Sequence, residues 1–276
     1  MKIIPSIIIS VILFSCNESP PFAFEEIACK KTEAPEFDGQ IVSLLDNETG
    51  QAVKDTLIEK IPKTRNVFQP CRQYIYNAIY RDQNDNLISE SHVWMMATGE
   101  RWEFQPEKQD KVAIQYEVIE NEISEIKKHF VNKKWVSQIQ FTTQETTGII
   151  ENVQEVWMHP FRANQFNFTE VAAFPAVKFP LEVGKTWTSN LVIGEGWGDW
   201  EHSTIYSTYK VVDKTKLQTE FKTFEDCWKV ESKSTAPFGD SQHIFWFDER
   251  YGFVKMEYTN YQGQTLIFEL KNVLEK

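Results

Sequence analysis

The fold class follows from one stretch of the chain, residues 179–270, which closes with the run Phe245-Trp246-Phe247-Asp248-Glu249-Arg250-Tyr251-Gly252-Phe253-Val254-Lys255-Met256-Glu257-Tyr258. Within this run Val254, Met256 and Tyr258 alternate with Lys255 and Glu257. A period of two is the side-chain period of a β-strand. One apolar face and one polar face on each strand is typical of an antiparallel sheet with one side in solvent.

Turn sequences separate the other predicted strands of this stretch. The predicted turns are Asp213–Lys216, Pro237–Asp240 and Asn260–Gly263, each lying between alternating segments. Between the first two turns, Trp228 and Val230 alternate with charged residues. The alternation predicts that both are buried.

Period-two segments also occur nearer the N-terminus. The predicted strands there are a first one around residues 74–80, then 87–97, 101–104, 112–118, 135–147 and one starting at 153, with turns at 82–86 and 148–152. Residues 119–130 instead carry apolar side chains at helical spacing, which favours one amphipathic helix of about three turns over a pair of short strands. The predicted fold class is therefore mainly β (α+β): a large curled antiparallel sheet or half-barrel with one or two short helices.

The first residues resemble a lipoprotein signal. Lys2 precedes an apolar run that is too short to span a bilayer. Leu13-Phe14-Ser15-Cys16 then resembles the lipobox of bacterial lipoproteins. This resemblance implies cleavage before Cys16, a diacylglyceryl thioether on its sulfur and an acylated amino end. The alternative is an ordinary secretory signal with an incidental cysteine.

These features divide the chain into a signal peptide (1–15), a lipidated cysteine with a polar, proline-containing tether (16–36) and one β-rich domain (37–276), with a weak subdivision near 160–180. The implied location is the cell envelope, as an outer-membrane lipoprotein held by its lipid. The net charge is −11, which argues against nucleic acid as a partner because nucleic acid binding requires a basic surface.

Three of the four cysteines remain after lipidation of Cys16. An oxidising exterior permits one disulfide among them. Cys29 and Cys71 lie in turn-rich sequence whereas Cys227 lies in a predicted strand, so we favour a Cys29–Cys71 bond and a free Cys227. Sequence alone leaves the other pairings open.

Two places are candidate binding sites. His159 and Arg162 follow a predicted strand and are able to face a cleft together; alternatively, His159 packs at the turn that Pro160 sets. The glycine-rich loop around Trp197 and Trp200 is expected to expose both indoles for stacking on a sugar or an apolar ligand. Three other tryptophans, at 187, 228 and 246, sit within strand patterns and are expected in the core.

No catalytic or cofactor motif is present. The five histidines lack metal-ligand spacing, no nucleophile elbow occurs, and none of the 40 acidic residues can be singled out as a carboxylate pair. We therefore expect no metal, no cofactor and no catalytic residue.

Three runs carry a family resemblance: Val156-Trp157-Met158-His159-Pro160-Phe161-Arg162, Phe179-Pro180-Leu181-Glu182-Val183-Gly184-Lys185-Thr186-Trp187 and Tyr251-Gly252-Phe253-Val254-Lys255. They resemble uncharacterised secreted lipoproteins of Bacteroidetes type. Some exported β proteins with a similar closing run look like the half-barrel of lipoprotein-carrier proteins. The resemblance implies a fold and brings no activity with it.

The leading hypothesis is a non-enzymatic, lipid-anchored envelope protein that binds a small apolar or amphipathic ligand, or another envelope protein. The second is a glycan-binding module that uses Trp197 and Trp200. The third is a hydrolase with an unrecognised carboxylate pair. A hollow sheet would favour the apolar-ligand hypothesis, and exposed tryptophans would favour glycan binding. Two carboxylates that face each other across a cleft would favour a hydrolase.

Overall fold

A computed structural model describes residues 29–31, 40–45, 52–58, 61–64, 66–136 and 139–275. The predicted signal peptide, Cys16 and most of the predicted tether lie outside the described residues. The strands are β1 (Gln40–Leu45), β2 (Ala52–Ile58), β3 (Gln73–Arg81), β4 (Leu87–Arg101), β5 (Asp110–Tyr116), β6 (Gln144–Glu151), β7 (Glu155–Met158), β8 (Ala176–Lys178), β9 (Thr186–Val192), β10 (Thr204–Gln218), β11 (Thr223–Ala236), β12 (Gly239–Asp248), β13 (Gly252–Thr259) and β14 (Thr265–Leu274). The helices are α1 (Ile123–Lys128) and α2 (Lys133–Val136), with 3₁₀ segments at Glu120–Glu122, Asn164–Val171 and Gly198–Trp200.

Twelve strands form one antiparallel sheet in the order β8-β7-β6-β5-β4-β3-β14-β13-β12-β11-β10-β9. Each half is a meander of six consecutive strands, and pairing of β14 with β3 joins the halves. The sheet curls into a nearly closed, barrel-like shape with β8 and β9 as its edges. The predicted mainly β fold with a curled antiparallel sheet is therefore correct. β1 and β2 pair with each other as a separate two-stranded sheet.

Side chains on the inner face of the sheet form the core. On β13, Met256 and Tyr258 are about 1% exposed, and on β14 Leu266, Phe268 and Leu270 are fully buried. The polar members of the same strands point outward, as the alternation predicts. Burial of each such large apolar side chain contributes roughly 1.5–3 kcal/mol.

The chain fills the inside of its own sheet. Residues 159–175, here called the interior segment, connect β7 to β8, and all eight residues of its 3₁₀ portion are buried. Phe161 and Phe166 each place a ring centroid 5.1 Å from that of Phe268 on β14. Phe168 packs between Tyr80 at 6.0 Å and Tyr258 at 6.5 Å. The concave face is thus filled by aromatic side chains of the same chain.

The interior segment is also held by polar contacts. The Thr169 hydroxyl donates to the Phe161 carbonyl at 2.8 Å, and Gln165 donates to the Ser91 hydroxyl at 3.3 Å. The Nδ1 atom of His243 on β12 lies 2.7 Å from the Ala173 carbonyl and donates to it. Because hydrogen bonding satisfies these buried groups, the irregular backbone is able to lie inside a core.

Several predicted boundaries were wrong. The predicted turn at Asp213–Lys216 lies inside β10, which carries register irregularities there, and the hairpin turns at Thr219–Lys222. The predicted strand at 101–104 does not form because β4 ends at Arg101. In place of one strand over 135–147 the chain has α2 and then β6. Because β6 ends at Glu151, it includes residues 148–151 of the predicted turn at 148–152.

The predicted helix over 119–130 is shorter than expected. It consists of a 3₁₀ turn followed by the six residues of α1. Ile126 and Phe130 are buried as the helical spacing predicts. No helix among the described residues is long and apolar enough to cross a membrane.

Candidate functional site

The structure brings His159 and Arg162 together. His159 follows β7 and Arg162 lies in the interior segment, and the Arg162 Nη1 atom is 3.1 Å from His159 Nε2. Their side chains are 16% and 29% exposed. The pair predicted from sequence is therefore in contact, at the partly buried rim of the sheet.

Three residues that the sequence did not single out complete this group, which we call the Arg162 cluster: Tyr116, Glu145 and Glu170 together with His159 and Arg162. Arg162 donates from Nε to Glu145 at 3.0 Å and from Nη1 to Glu170 at 3.3 Å. The Tyr116 hydroxyl donates to the second oxygen of Glu145 at 3.0 Å. One guanidinium thus joins β6 to two positions of the interior segment.

Burial governs the charges of the Arg162 cluster. Burial raises the pKa of Glu170 to about 7, although Arg162 acts in the opposite direction. Burial, together with the positive charge of Arg162, lowers the pKa of His159 to about 3. Burial also opposes the charge on Arg162, but Glu170 and Glu145 more than offset it, so the pKa of Arg162 lies above its ordinary value. At neutral pH His159 is uncharged and accepts a hydrogen bond from Arg162.

The Arg162 cluster has the features of a structural network. Glycoside hydrolysis generally uses two carboxylates that flank the substrate, whereas Glu145 and Glu170 flank an arginine. Glu170 is only 6% exposed. The cluster ties the interior segment to the sheet, and we assign it no reaction. Within the described ranges, no group of three or more histidine, cysteine or acidic residues is placed to hold a metal ion.

The tryptophan loop differs from the sequence expectation. Trp200 is 0% exposed, and its indole N–H donates to the Tyr261 hydroxyl at 2.9 Å. Trp197 is half-buried, with its ring centroid 4.9 Å from that of Trp135. The expectation of two exposed indoles was wrong because both rings pack into an aromatic group that includes Trp135 of α2 and Phe238.

Asn132 holds the same loop in place. Its Nδ2 donates to the Trp197 carbonyl at 2.7 Å, and its Oδ1 accepts from the Asp199 N–H at 3.0 Å. Gly198 between them has φ +59°, and an added Cβ would lie 2.6 Å from Asn132 Oδ1. A glycine is required for this close approach. The loop is therefore packed against the rest of the domain and does not extend into solvent as a ligand-binding arm.

The cysteines adopt the arrangement favoured from sequence. A disulfide joins Cys29 and Cys71, whose Cα atoms are 5.6 Å apart. It holds the segment around Lys30 beside β4, where the Lys30 N–H donates to the Thr98 carbonyl at 2.9 Å. Cys227 is free and buried, and burial raises its pKa to about 12.

A groove of about 720 Å³ lies on the side chains of β9 to β12. We call it the outer groove, because most of its lining is from the outer face of the sheet. Its polar lining includes Thr186, Thr188, Thr208, Lys210, Glu231, Lys233 and Gln242. Sequence reasoning missed it because it is formed by four strands in a particular register, although the exposed threonine side of β9 was visible in the alternation.

The fold was compared with known proteins. The chain matches no known family profile and is similar to no curated protein. Among solved structures, one similar chain is a protein from Bacteroides fragilis described as exported, with a YmcC-like fold; it is 11% identical, with a TM-score of 0.44, over 78% of this chain and 98% of that chain. Another is a protein from Parabacteroides distasonis described as a lipoprotein, 10% identical with a TM-score of 0.41, over 78% of this chain and 97% of that chain. Their descriptions agree with the resemblance to Bacteroidetes-type exported lipoproteins that the sequence indicates.

Proposed function

We propose that the chain is a non-enzymatic lipoprotein of the cell envelope that binds a partner protein or an amphipathic ligand on the outer face of its curled sheet. The observation that carries the proposal is the filled interior. Phe161, Phe166 and Phe168 occupy the concave face, where a hollow sheet would hold an apolar ligand. The outer groove is an open concave surface, as ligand sites usually are.

The lining of the outer groove suits an amphipathic or protein partner. Threonine and glutamine side chains offer hydrogen bonds, Lys210 offers a positive charge, and Ile244 adds apolar surface. The other two charged residues of the lining, Glu231 and Lys233, are paired with Lys229 and Asp240. This mixture is closer to the composition of protein–protein contacts than to that of an enclosed lipid site. The groove contains no buried carboxylate pair of the kind a glycosidase uses.

A photoreactive phenylalanine analogue at the position of Thr208 tests the binding site in cells. Thr208 is exposed in the centre of the outer groove, and Thr146 is an exposed threonine on β6, outside the groove. We expect a discrete adduct from position 208 and none from position 146. Equal labelling at both positions, or no adduct at position 208, would contradict a partner at this groove.

The proposed anchor is Cys16, with palmitate-type acyl chains and an outer-membrane location. Stable anchoring requires about two acyl chains, so Cys16→Ser is expected to move the protein from the membrane fraction to the soluble fraction and to abolish metabolic labelling with palmitate. Cys227→Ser is the matched cysteine control and is expected to stay membrane-bound. Retention of Cys16→Ser after a high-salt wash would refute the lipobox interpretation.

A further inference from the structure

Among the described residues, the backbone groups on the outward edge of β9 make no hydrogen bond. Ile193 donates its N–H to the Ser203 carbonyl, and Val211 donates its N–H to the Lys185 carbonyl. In an antiparallel pair the residues that face the neighbouring strand alternate, so odd-numbered residues of β9 bond to β10. The N–H and C=O groups of the even-numbered residues therefore point away from the sheet. These residues are Thr186, Thr188, Asn190 and Val192.

The two edges of the sheet are protected differently. β8 has three residues, and Lys178 at its end pairs with Glu155. β9 has seven residues and contains neither a charged residue nor a proline. Short length and charge, as in β8, are the usual protection of an edge strand against pairing with other chains. β9 has neither, and within the described residues no strand other than β10 pairs with it.

The outer groove lies directly beside this edge. Thr186 and Thr188 belong both to the outward edge and to the groove lining. A strand added next to β9 would place every second side chain over the groove, because side chains alternate along a strand. Main-chain hydrogen bonds would supply affinity and the groove would supply selectivity, which is the division found in β-strand addition.

Charge indicates the chemistry of the added strand. Within the described part of the chain Lys233 pairs with Asp240, and Glu231, which lies opposite Lys210 in register, pairs with Lys229. Lys210 has no ion-pair partner among the described residues. Because Lys210 lies opposite Thr186, a residue added beyond Thr186 would be two strand spacings, about 9.6 Å, from Lys210. The side chains of Lys210 and of a glutamate at that position are together long enough to span this distance.

A second copy of the chain fits this edge less well. Two β9 strands in antiparallel contact would set threonine, asparagine and valine against one another and bring no acidic side chain to Lys210. We infer that β9 and the outer groove bind an extended, acidic segment of a partner protein, which adds to the sheet as a further strand. This inference rests on the proposed function and specifies the partner of the same surface.

A selection from random peptides of roughly ten residues, near the upper end of strand lengths, tests the inference on the mature, detergent-solubilised protein. We expect enriched peptides that alternate β-branched and acidic residues. Thr188→Pro removes an outward N–H and should weaken their binding by at least about tenfold, since proline is tolerated at an exposed edge but blocks pairing. Thr188→Val keeps the N–H and should change binding by less than about twofold.

Two further measurements separate the possible outcomes. A selected peptide that is N-methylated along one edge keeps its side chains and should lose binding without any change to the protein, and Lys210→Gln should weaken acidic peptides only. Unaltered binding to both Thr188→Pro and the N-methylated peptide, selection of no peptide, or a dimer that dissociates on Thr188→Pro would overturn strand addition. If strand addition is overturned but the photo-crosslinked adduct at position 208 still forms, the proposed binding at the outer groove stands. If that adduct is also absent, the proposed function fails together with strand addition.

Discussion

Replacement of His243 is expected to change how stability depends on pH. The ring is fully buried, stacks on Tyr258 with centroids 3.8 Å apart, and donates from Nδ1 to the Ala173 carbonyl. Burial lowers the pKa of His243 to about 3 from an ordinary value of 6.5. The folded state therefore holds a neutral ring that the unfolded chain protonates below about pH 6.5.

The magnitude follows from the difference between the two pKa values. The stabilisation is complete above the unfolded pKa and is lost as the pH falls from 6.5 toward 3. At about pH 4.5 the loss is two pH units at about 1.4 kcal/mol each, or about 3 kcal/mol. His243→Phe removes this loss, but it leaves the Ala173 carbonyl without its donor, which costs about 1–3 kcal/mol at every pH.

The free energies of unfolding of the wild type and His243→Phe should therefore converge or cross on acidification. The wild type is expected to be more stable at about pH 7.5 by about 1–3 kcal/mol, and no more stable than the variant at about pH 4.5. Urea unfolding followed by tryptophan fluorescence measures both. His159 and Glu170, whose pKa values are shifted in opposite directions, are present in both proteins. Their contributions therefore cancel in the difference between the two free energies of unfolding.

His243→Asn provides a second, smaller side chain that does not titrate and still carries a donor. It should show the same flatter pH dependence as His243→Phe. A stability difference from wild type that is the same at both pH values, for both variants, would show that the buried ring is not kept neutral by the fold.

Three further predictions concern cross-links and packing. Thiol counting on the unfolded, unreduced mature protein should find one free thiol, Cys227; three would exclude the disulfide. Phe166→Ala should lower the free energy of unfolding by about 3–5 kcal/mol in urea titration, because it leaves a cavity inside the sheet; a loss below about 1 kcal/mol would contradict the filled interior. Tyr261→Phe should cost about 1–3 kcal/mol in the same assay by leaving the buried Trp200 N–H without an acceptor. Tyr206, which is 63% exposed, supplies the control, since its replacement by Ala or Phe should stay within about 0.5 kcal/mol.

The strands of the sheet were predictable because their signal is local. On β10 the side chains of Ile205, Ser207, Tyr209 and Val211 are buried and their neighbours are more exposed, as the alternation predicts. The alternation of apolar and polar residues within each strand shows which face of that strand packs against the core. The alternation fixes the face of a residue without fixing how much of that face is covered.

Trp228 shows this limit. It lies opposite the buried Phe247 in register, but it is only half-buried. Lys214 lies over its ring at 4.9 Å and its N–H donates to Glu249. The predicted full burial was wrong because the alternation is not maintained along β11. Cys227 and Val230, on either side of Trp228, are both fully buried, and β10 has register irregularities opposite this part of the strand. Charged side chains cover the part of the Trp228 ring that the core does not.

The Arg162 cluster was only half visible in the sequence. His159 and Arg162 are three residues apart, so their proximity could be predicted. Glu145 comes from β6 and Glu170 from the far end of the interior segment. Among 40 acidic residues, nothing in the local sequence distinguishes these two. They become buried and pair with Arg162 only when the interior segment folds back into the sheet.

The filled interior has a consequence for how binding couples to stability. In a hollow sheet the ligand forms part of the core, so its loss leaves apolar surface in contact with water. Here Phe161, Phe166 and Phe168 already provide that core, and a partner on the outer groove covers side chains that are exposed in the free protein. Binding should therefore stabilise the fold only by mass action, about 2.7 kcal/mol at a free concentration of 100 times the Kd. A chain built in this way remains folded in its free state, so the proposed binding role does not require the partner for stability.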